Sequence, residues 1–218
     1  MTSRFQIVGL AKATHFVPTV LVVSISFILS LTQVNFFKSV MIALAILAGQ
    51  CTVGWTNELV DQNRDTAAGR LKKPLVAGTV TATQLKFGVA VALLLAVLLS
   101  YLGPLGVKGG SIHMLGLLSA AIYNFGAKGT WLSPVPYAIS FGAMPWALYE
   151  SVGKHPPLWL YIDFALVSIA YHFVNVIKDL EWDRAHLVLG LPQRIGKTGS
   201  AVMAGVCVLA SLILLLAR

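Results

Sequence analysis

Asn57, Asp61 and Asp65 lie four residues apart, and so do Asn175, Asp179 and Asp183. A helix running through such a set stacks the three oxygen-bearing side chains on one face, each a turn above the last. The chain has eight Asp and Glu residues, and six of them (Glu58, Asp61, Asp65, Asp179, Glu181 and Asp183) fall in these two short segments. A solvated helix end would explain one such motif, but not the gathering of nearly all the acidic residues into two. Carboxylates grouped in this way repel one another unless a cation sits between them, and hard oxygen donors suit Mg²⁺ shared with phosphate oxygens. The pattern predicts a magnesium diphosphate site with Asn57, Asp61, Asp65, Asn175, Asp179 and Asp183 as metal ligands. The two Asn residues stand at the membrane ends of their helices, where a neutral oxygen is cheaper to bury than a third carboxylate.

A diphosphate also needs positive charge. Lys73, next to Pro74 where the first loop ends, is the main candidate. Arg64, Arg70, Lys72, Arg184, Arg194 and Lys197 lie near the two motifs, with contact to lipid headgroups as their competing role. Lys128 lies five residues after Tyr123, at a turn between two apolar runs. A cation there would reach a leaving diphosphate and stabilise its growing charge.

The elements that must carry these residues are membrane helices. Of the 218 residues 57% are apolar and 11% charged, and the mean hydropathy is +0.80, outside the range of soluble domains. Runs long enough to cross the roughly 30 Å hydrocarbon layer fall near 15–32, 38–57, 81–102, 111–127, 131–150, 157–178 and 199–217. This predicts an all-α polytopic bundle of about seven spans. The stretch Tyr123 to Pro136, with Gly126, Lys128, Gly129 and Pro134, is one where the chain breaks or re-enters. Arg4 and Lys12 precede the first run without a small-residue cleavage signal, as in a retained helix. Cys51 and Cys207 sit inside apolar runs and are read as packing residues.

The net charge of +8 does not call for nucleic acid, because the basic residues occupy short loops between spans. Assigned alternately to the two membrane sides, Arg4, Lys12, Arg64, Arg70, Lys72, Lys73, Lys86, Lys128, Lys178, Arg184, Arg194 and Lys197 fall on one side. Lys38, Lys108, Lys154 and Arg218 fall on the other. The excess places the N-terminus and both acidic loops in the cytoplasm. The two long connections, after the second and sixth spans, each pair an acidic motif with a basic stretch. They mark an internal pseudo-repeat, about 38–128 and 157–218, within a single 1–218 domain, and predict two bundles facing a shared cleft.

The ordered set of Asn57-x-x-x-Asp61-x-x-x-Asp65, Lys73-Pro74-Leu75, Tyr123-x-x-x-x-Lys128, Asp179-x-x-x-Asp183 and Leu191-Pro192-x-x-x-Gly196 resembles the UbiA superfamily of intramembrane prenyltransferases from about His15 to Gly196. The resemblance implies a helical membrane fold whose two Asp-rich motifs bind Mg²⁺ and an isoprenyl diphosphate at the cytoplasmic rim of a central cavity. It makes Asn57, Asp61 and Asp65 ligands of the first motif, Asp179 and Asp183 ligands of the second, and Tyr123 and Lys128 diphosphate contacts. Arg70 and Arg184 join Lys73 as further diphosphate-binding candidates. Family members commonly carry Asp where this chain has Glu58, and usually have nine spans. The expectation is therefore a compact variant, a homo-oligomer whose neighbouring subunit closes the cavity, or a truncated chain.

Three functions compete at this stage. In the leading one the allylic cation formed in a dry cavity alkylates an aromatic or lipid-like acceptor. In the second, a terpene cyclase of the same superfamily, the cation is captured by its own double bonds. The third is a non-catalytic membrane protein, against which two costly acidic motifs speak. Among other polar residues, His15 and Thr19 are candidates to touch an acceptor or the interface, and His172 to line the cavity. His113, His155 and His186 read as loop or interface residues, and Asp163 falls near the other membrane face. Trp55, Phe125, Trp131, Phe141, Trp146, Tyr171, Phe173 and Trp182 offer ring faces to a carbocation, or serve as packing and belt aromatics.

Overall fold

A computed structural model describes residues 2–218, with side chains from residue 7 onward; the side chain of Arg4, counted above among the cytoplasmic charges, lies outside the described residues. Among the described residues the regular structure is all helix, joined by turns and loops, with no strand. It divides into two compact units, residues 1–111 and 112–218, each carrying one acidic motif.

The first unit holds α1 (Thr2–Ala13), α2 (Phe16–Leu31), α3 (Phe36–Ala67) and α4 (Ala82–Tyr101). Its helix starts are written locally. Asn35 accepts a hydrogen bond from the Lys38 amide at the head of α3, and Thr81 and Gln84 form a reciprocal capping box at the head of α4. At 1.5 Å per residue the 32 residues of α3 run about 48 Å, well past the hydrocarbon layer. The helix expected to end near residue 57 therefore carries the whole acidic motif on its last turns. Small residues let its neighbours approach closely. Gly88 of α4 sits under the Trp55 ring, and the Trp55 indole N–H donates to Leu10 O at 3.0 Å. Leu10, Ala13, Trp55, Leu59, Leu75, Val80 and Leu85 form one apolar cluster here. Buried Ser26 and Ser30 bond carbonyls of their own helix, which keeps their hydroxyls satisfied without water.

The second unit takes in most of α5 (Gly106–Phe125), then a 3-10 turn (Ala127–Gly129), α6 (Val135–Glu150), α7 (Leu158–Ile177), α8 (Leu180–Ala185) and α9 (Leu191–Leu216). The break expected between Tyr123 and Pro136 is this turn and the irregular stretch after it. α7 packs on both α6 and α9. On the α9 side Ala170 and Phe173 meet Ala204 and Cys207, so Cys207 is the packing residue its context indicated. On the α6 side the Tyr161 ring covers Gly142 so closely that a Cβ there would meet it at 2.7 Å. Gly196 interrupts α9 with φ 78°, a conformation glycine takes at little cost. The Leu191-Pro192-x-x-x-Gly196 stretch is thus a short helical turn, closed by Gly196 before the long apolar part begins.

Four helices, α3, α4, α7 and α9, are long and apolar enough to cross a membrane. A fifth span results if residues 7–13 of α1 and α2, bent by 71° at His15, count as one broken crossing. α5 and α6 lie where the fourth and fifth expected spans fall, but they are not among these: α5 contains Lys108, His113 and glycines, and α6 is only 16 residues long. The second acidic motif also departs from expectation, because no single helix runs through it. α7 stops at Ile177, Asp179 leaves the helical conformation (φ −107°, ψ 2°), and α8 begins at Leu180. Asn175 and Asp183 therefore sit on different helices. Past the apolar layer little packing holds the helix on course, and Asp is a poor helix-interior residue.

Candidate active site

The end of α3 buries three carboxylates: Glu58, Asp61 and Asp65 are 2%, 6% and 1% exposed. Residues 58, 61 and 65 follow the three-and-four spacing of one helix face. Asn57, expected on that face, lies half-buried on its flank, with its Oδ1 3.2 Å from His15 Nε2. His15 holds a left-handed backbone conformation (φ 58°) between α1 and α2, and that turn brings its ring to α3.

The loop after α3 folds back over this face and brings its cations along. Lys73 Nζ stands 3.2 Å from Glu58 Oε2 and 3.5 Å from Asp65 Oδ2. Arg70 Nη1 is 3.7 Å from Asp65 Oδ1, and Arg64 reaches back one turn to Asp61 at 3.0 Å. Glu58 Oε1 accepts the Leu75 amide at 3.1 Å. Asp65 is different: although both its oxygens are buried, neither accepts a hydrogen bond. Buried acceptors are seldom left so, and a carboxylate flanked by cations but without hydrogen bonds suits a bound divalent ion. Among the described residues no three His, Cys, Asp or Glu side chains gather closely enough to hold a metal by themselves.

In the second unit Asp179 and Asp183 are half-buried around α8. Asp183 Oδ2 accepts a hydrogen bond from the Gln193 side-chain amide at 2.7 Å, and Arg184 Nε donates to the Gln193 carbonyl. Gln193 is 3% exposed and was not foreseen; its one sequence signal is its place in the Leu191-Pro192 turn. Lys128 lies in the 3-10 turn, where its carbonyl presses so closely on Gly190 that a Cβ would meet it at 2.5 Å.

Tyr123 belongs to a ring cluster in this unit. It meets Tyr137 edge-on at 5.1 Å and His172 at 5.7 Å; Tyr137 in turn meets His172 at 4.6 Å, Phe141 at 6.4 Å and Tyr171 at 6.5 Å. Ser133 ties the cluster down: its hydroxyl lies 3.1 Å from His172 Nε2 and accepts the Leu191 amide at 3.1 Å. Ser133 and Tyr137 were missed because a lone hydroxyl or ring in an apolar run carries no spacing signal. Of the aromatic candidates, Phe141, Tyr171 and Phe173 are joined to the cluster. Phe125, Trp131 and Trp146 are exposed, Trp55 packs on Gly88, and Trp182 stacks on His186. His155 pairs with Glu150, and Asp163 accepts the Ser211 hydroxyl. His113, expected in a loop or at an interface, is buried within α5.

The fold recurs in known proteins. The fold is shared with a UbiA homologue from Archaeoglobus fulgidus bound to GPP and Mg²⁺, at TM-score 0.81 and 12% identity over 94% of this chain and 76% of that one. A UbiA homologue from Aeropyrum pernix K1 matches at TM-score 0.73 and 18% identity, over 96% and 76% of the two chains. A digeranylgeranylglyceryl phosphate synthase matches at TM-score 0.70 and 20% identity, again over 96% and 76%. No curated protein matches the sequence. The model of the UbiA prenyltransferase family matches residues 16–218, and the chain belongs to that family.

Proposed function

We propose that this protein is an intramembrane prenyltransferase that ionises an isoprenyl diphosphate and transfers the prenyl group to an aromatic or lipid-like acceptor. The observation that carries the reading is Asp65, buried among cations with both oxygens lacking hydrogen bonds, at the end of a membrane helix of a UbiA-family chain. Asn57, Asp61 and Asp65 of the first motif, with Asn175, Asp179 and Asp183 of the second, are the residues we assign to Mg²⁺. The diphosphate oxygens complete its ligand set. When bound, the ion neutralises charge on the diphosphate. Solved UbiA homologues bound to GPP or DMAPP with Mg²⁺ support a prenyl diphosphate and a divalent ion as the ligands of such a site.

The residues of this chain then have distinct tasks. Lys73, Arg70 and Arg184 bind the diphosphate, and Tyr123 and Lys128 contact it as its negative charge grows. The allylic C–O bond breaks, the diphosphate keeps the electron pair, and the acceptor supplies the pair for the new bond. Water must be excluded while the cation exists. Faces of Tyr137, Phe141 and Tyr171 suit that cation, which also gives the terpene cyclase reading a footing. The excess of Lys and Arg in the loops beside the two acidic motifs supports an orientation with the N-terminus and both acidic loops in the cytoplasm.

The test is incubation of purified protein with one labelled allylic diphosphate and Mg²⁺, with and without acceptors. Orientation of two reactants contributes roughly 7–11 kcal/mol to such a step, so a transferase without acceptor releases diphosphate only at the slow rate of hydrolysis. Cyclic terpenes formed at a rate no acceptor improves would replace the transferase by the cyclase.

A further inference from the structure

We infer that Glu58 is a positioning residue that fixes Lys73 and its loop for diphosphate binding, and is not a ligand of the metal. The inference rests on the diphosphate-binding reading proposed above. Its basis is a contrast between two buried carboxylates on one helix face. Asp65 has no hydrogen bond at either oxygen, whereas Glu58 has both oxygens engaged by the loop: Lys73 Nζ at 3.2 Å on Oε2 and the Leu75 amide at 3.1 Å on Oε1. A carboxylate holding a backbone amide and an ammonium at hydrogen-bond distance has little left to offer a cation, while Asp65, whose oxygens meet only the longer ion pairs to Arg70 at 3.7 Å and Lys73 at 3.5 Å, keeps its acceptor capacity.

Lys73 is the shared element. Its ammonium sits between Glu58 and Asp65, with 3.5 Å to the latter. Were Asp65 to hold a cation, the ammonium would give up that oxygen and Glu58 would keep it at the site. The grip is two-point, because Leu75 lies two residues beyond Lys73 and belongs to the apolar cluster with Ala13, Val80 and Leu85. Loop backbone bonds carry the constraint to Arg70, whose carbonyl accepts the Lys73 amide at 2.9 Å. Glutamate has the reach for this arrangement; aspartate, one methylene shorter, cannot keep both contacts without moving the loop.

The test is a double-mutant cycle on the full chain in detergent, reading binding of inorganic diphosphate with Mg²⁺ by calorimetry. Glu58→Gln keeps an acceptor for the Leu75 amide and loses the charge that holds Lys73. It is expected to weaken diphosphate binding about tenfold, as Lys73→Met does, and the double variant is expected to be no weaker than either single one. The Mg²⁺ concentration needed for half-maximal binding stays within about twofold of wild type, because a residue off the metal leaves its affinity intact. Should Glu58→Gln fail to fold, Glu58→Asp replaces it in the cycle, with faster hydrogen exchange at the Leu75 amide as a second readout. Unchanged diphosphate binding in Glu58→Gln, effects that add to those of Lys73→Met, or a raised Mg²⁺ requirement would each overturn the inference. Wild-type protein that binds diphosphate but turns over no allylic diphosphate removes the transferase reading and leaves Glu58 to be decided by the same cycle. Wild-type protein that binds no diphosphate overturns both.

Discussion

Gly54 meets Thr14 backbone to backbone: a Cβ on Gly54 would lie 2.7 Å from the Cα, C and O atoms of Thr14. That contact seats the α1–α2 break on α3 one turn before Asn57, and so brings His15 within 3.2 Å of the Asn57 side chain. Neither backbone can yield as a flexible side chain would. Gly54→Ala is therefore expected to destabilise the protein by about 1–3 kcal/mol through overpacking, seen as a lowered Tm in detergent. Gly205→Ala, where a Cβ meets nothing within 4 Å, is the control and should leave Tm unchanged or raised.

Loss of a carboxylate should separate activity from folding. Asp61 is buried and pairs with Arg64 at 3.0 Å, so the Tm of Asp61→Ala in detergent is read first, to establish that the variant folds. Its turnover of an allylic diphosphate is expected to fall on the order of a hundredfold or more. Asp179→Ala should behave alike. Near-normal turnover in either folded variant contradicts a role for both motifs.

Turnover should also vanish with a chelator and return with Mg²⁺. Stripping divalent ions from wild-type protein and titrating Mg²⁺ back measures this directly, and full activity after chelation would remove the metal from the reaction.

Ser133→Ala is expected to lower stability by about 1–3 kcal/mol, because it strips one partner each from the buried His172 ring and the Leu191 amide at once. Thermal unfolding in detergent reads the loss. A Tm equal to wild type would mean that the hydroxyl is no anchor.

Topology is open to single-cysteine labelling in a background lacking Cys51 and Cys207. Cysteines near Leu71 and Leu187 should be shielded from an impermeant reagent in intact cells, and cysteines near Lys108 and Lys154 labelled. Labelling of both acidic loops from outside would overturn the orientation drawn from the Lys and Arg distribution.

The sequence by itself determined the helical membrane class, the family, and which turns carry the acidic residues, because each of these depends on local spacing. Apolar run length marks a span, and a four-residue interval places Asp61 and Asp65 on one face of any helix that contains them. Even the conformational break at Gly196 lay within a motif visible in the sequence. What periodicity reports is the direction a side chain takes from its own helix, never what it meets there. The tertiary structure alone decided that Glu58 is buried and gripped by a loop 15 to 17 residues onward. It alone brought His15 to Asn57 across 42 residues, and joined Ser133 to His172 and Leu191. It also split the second motif at Asp179, where a spacing shared with the first motif gave no hint of a break. There the local pattern permits a helix but, beyond the apolar layer, packing no longer enforces one.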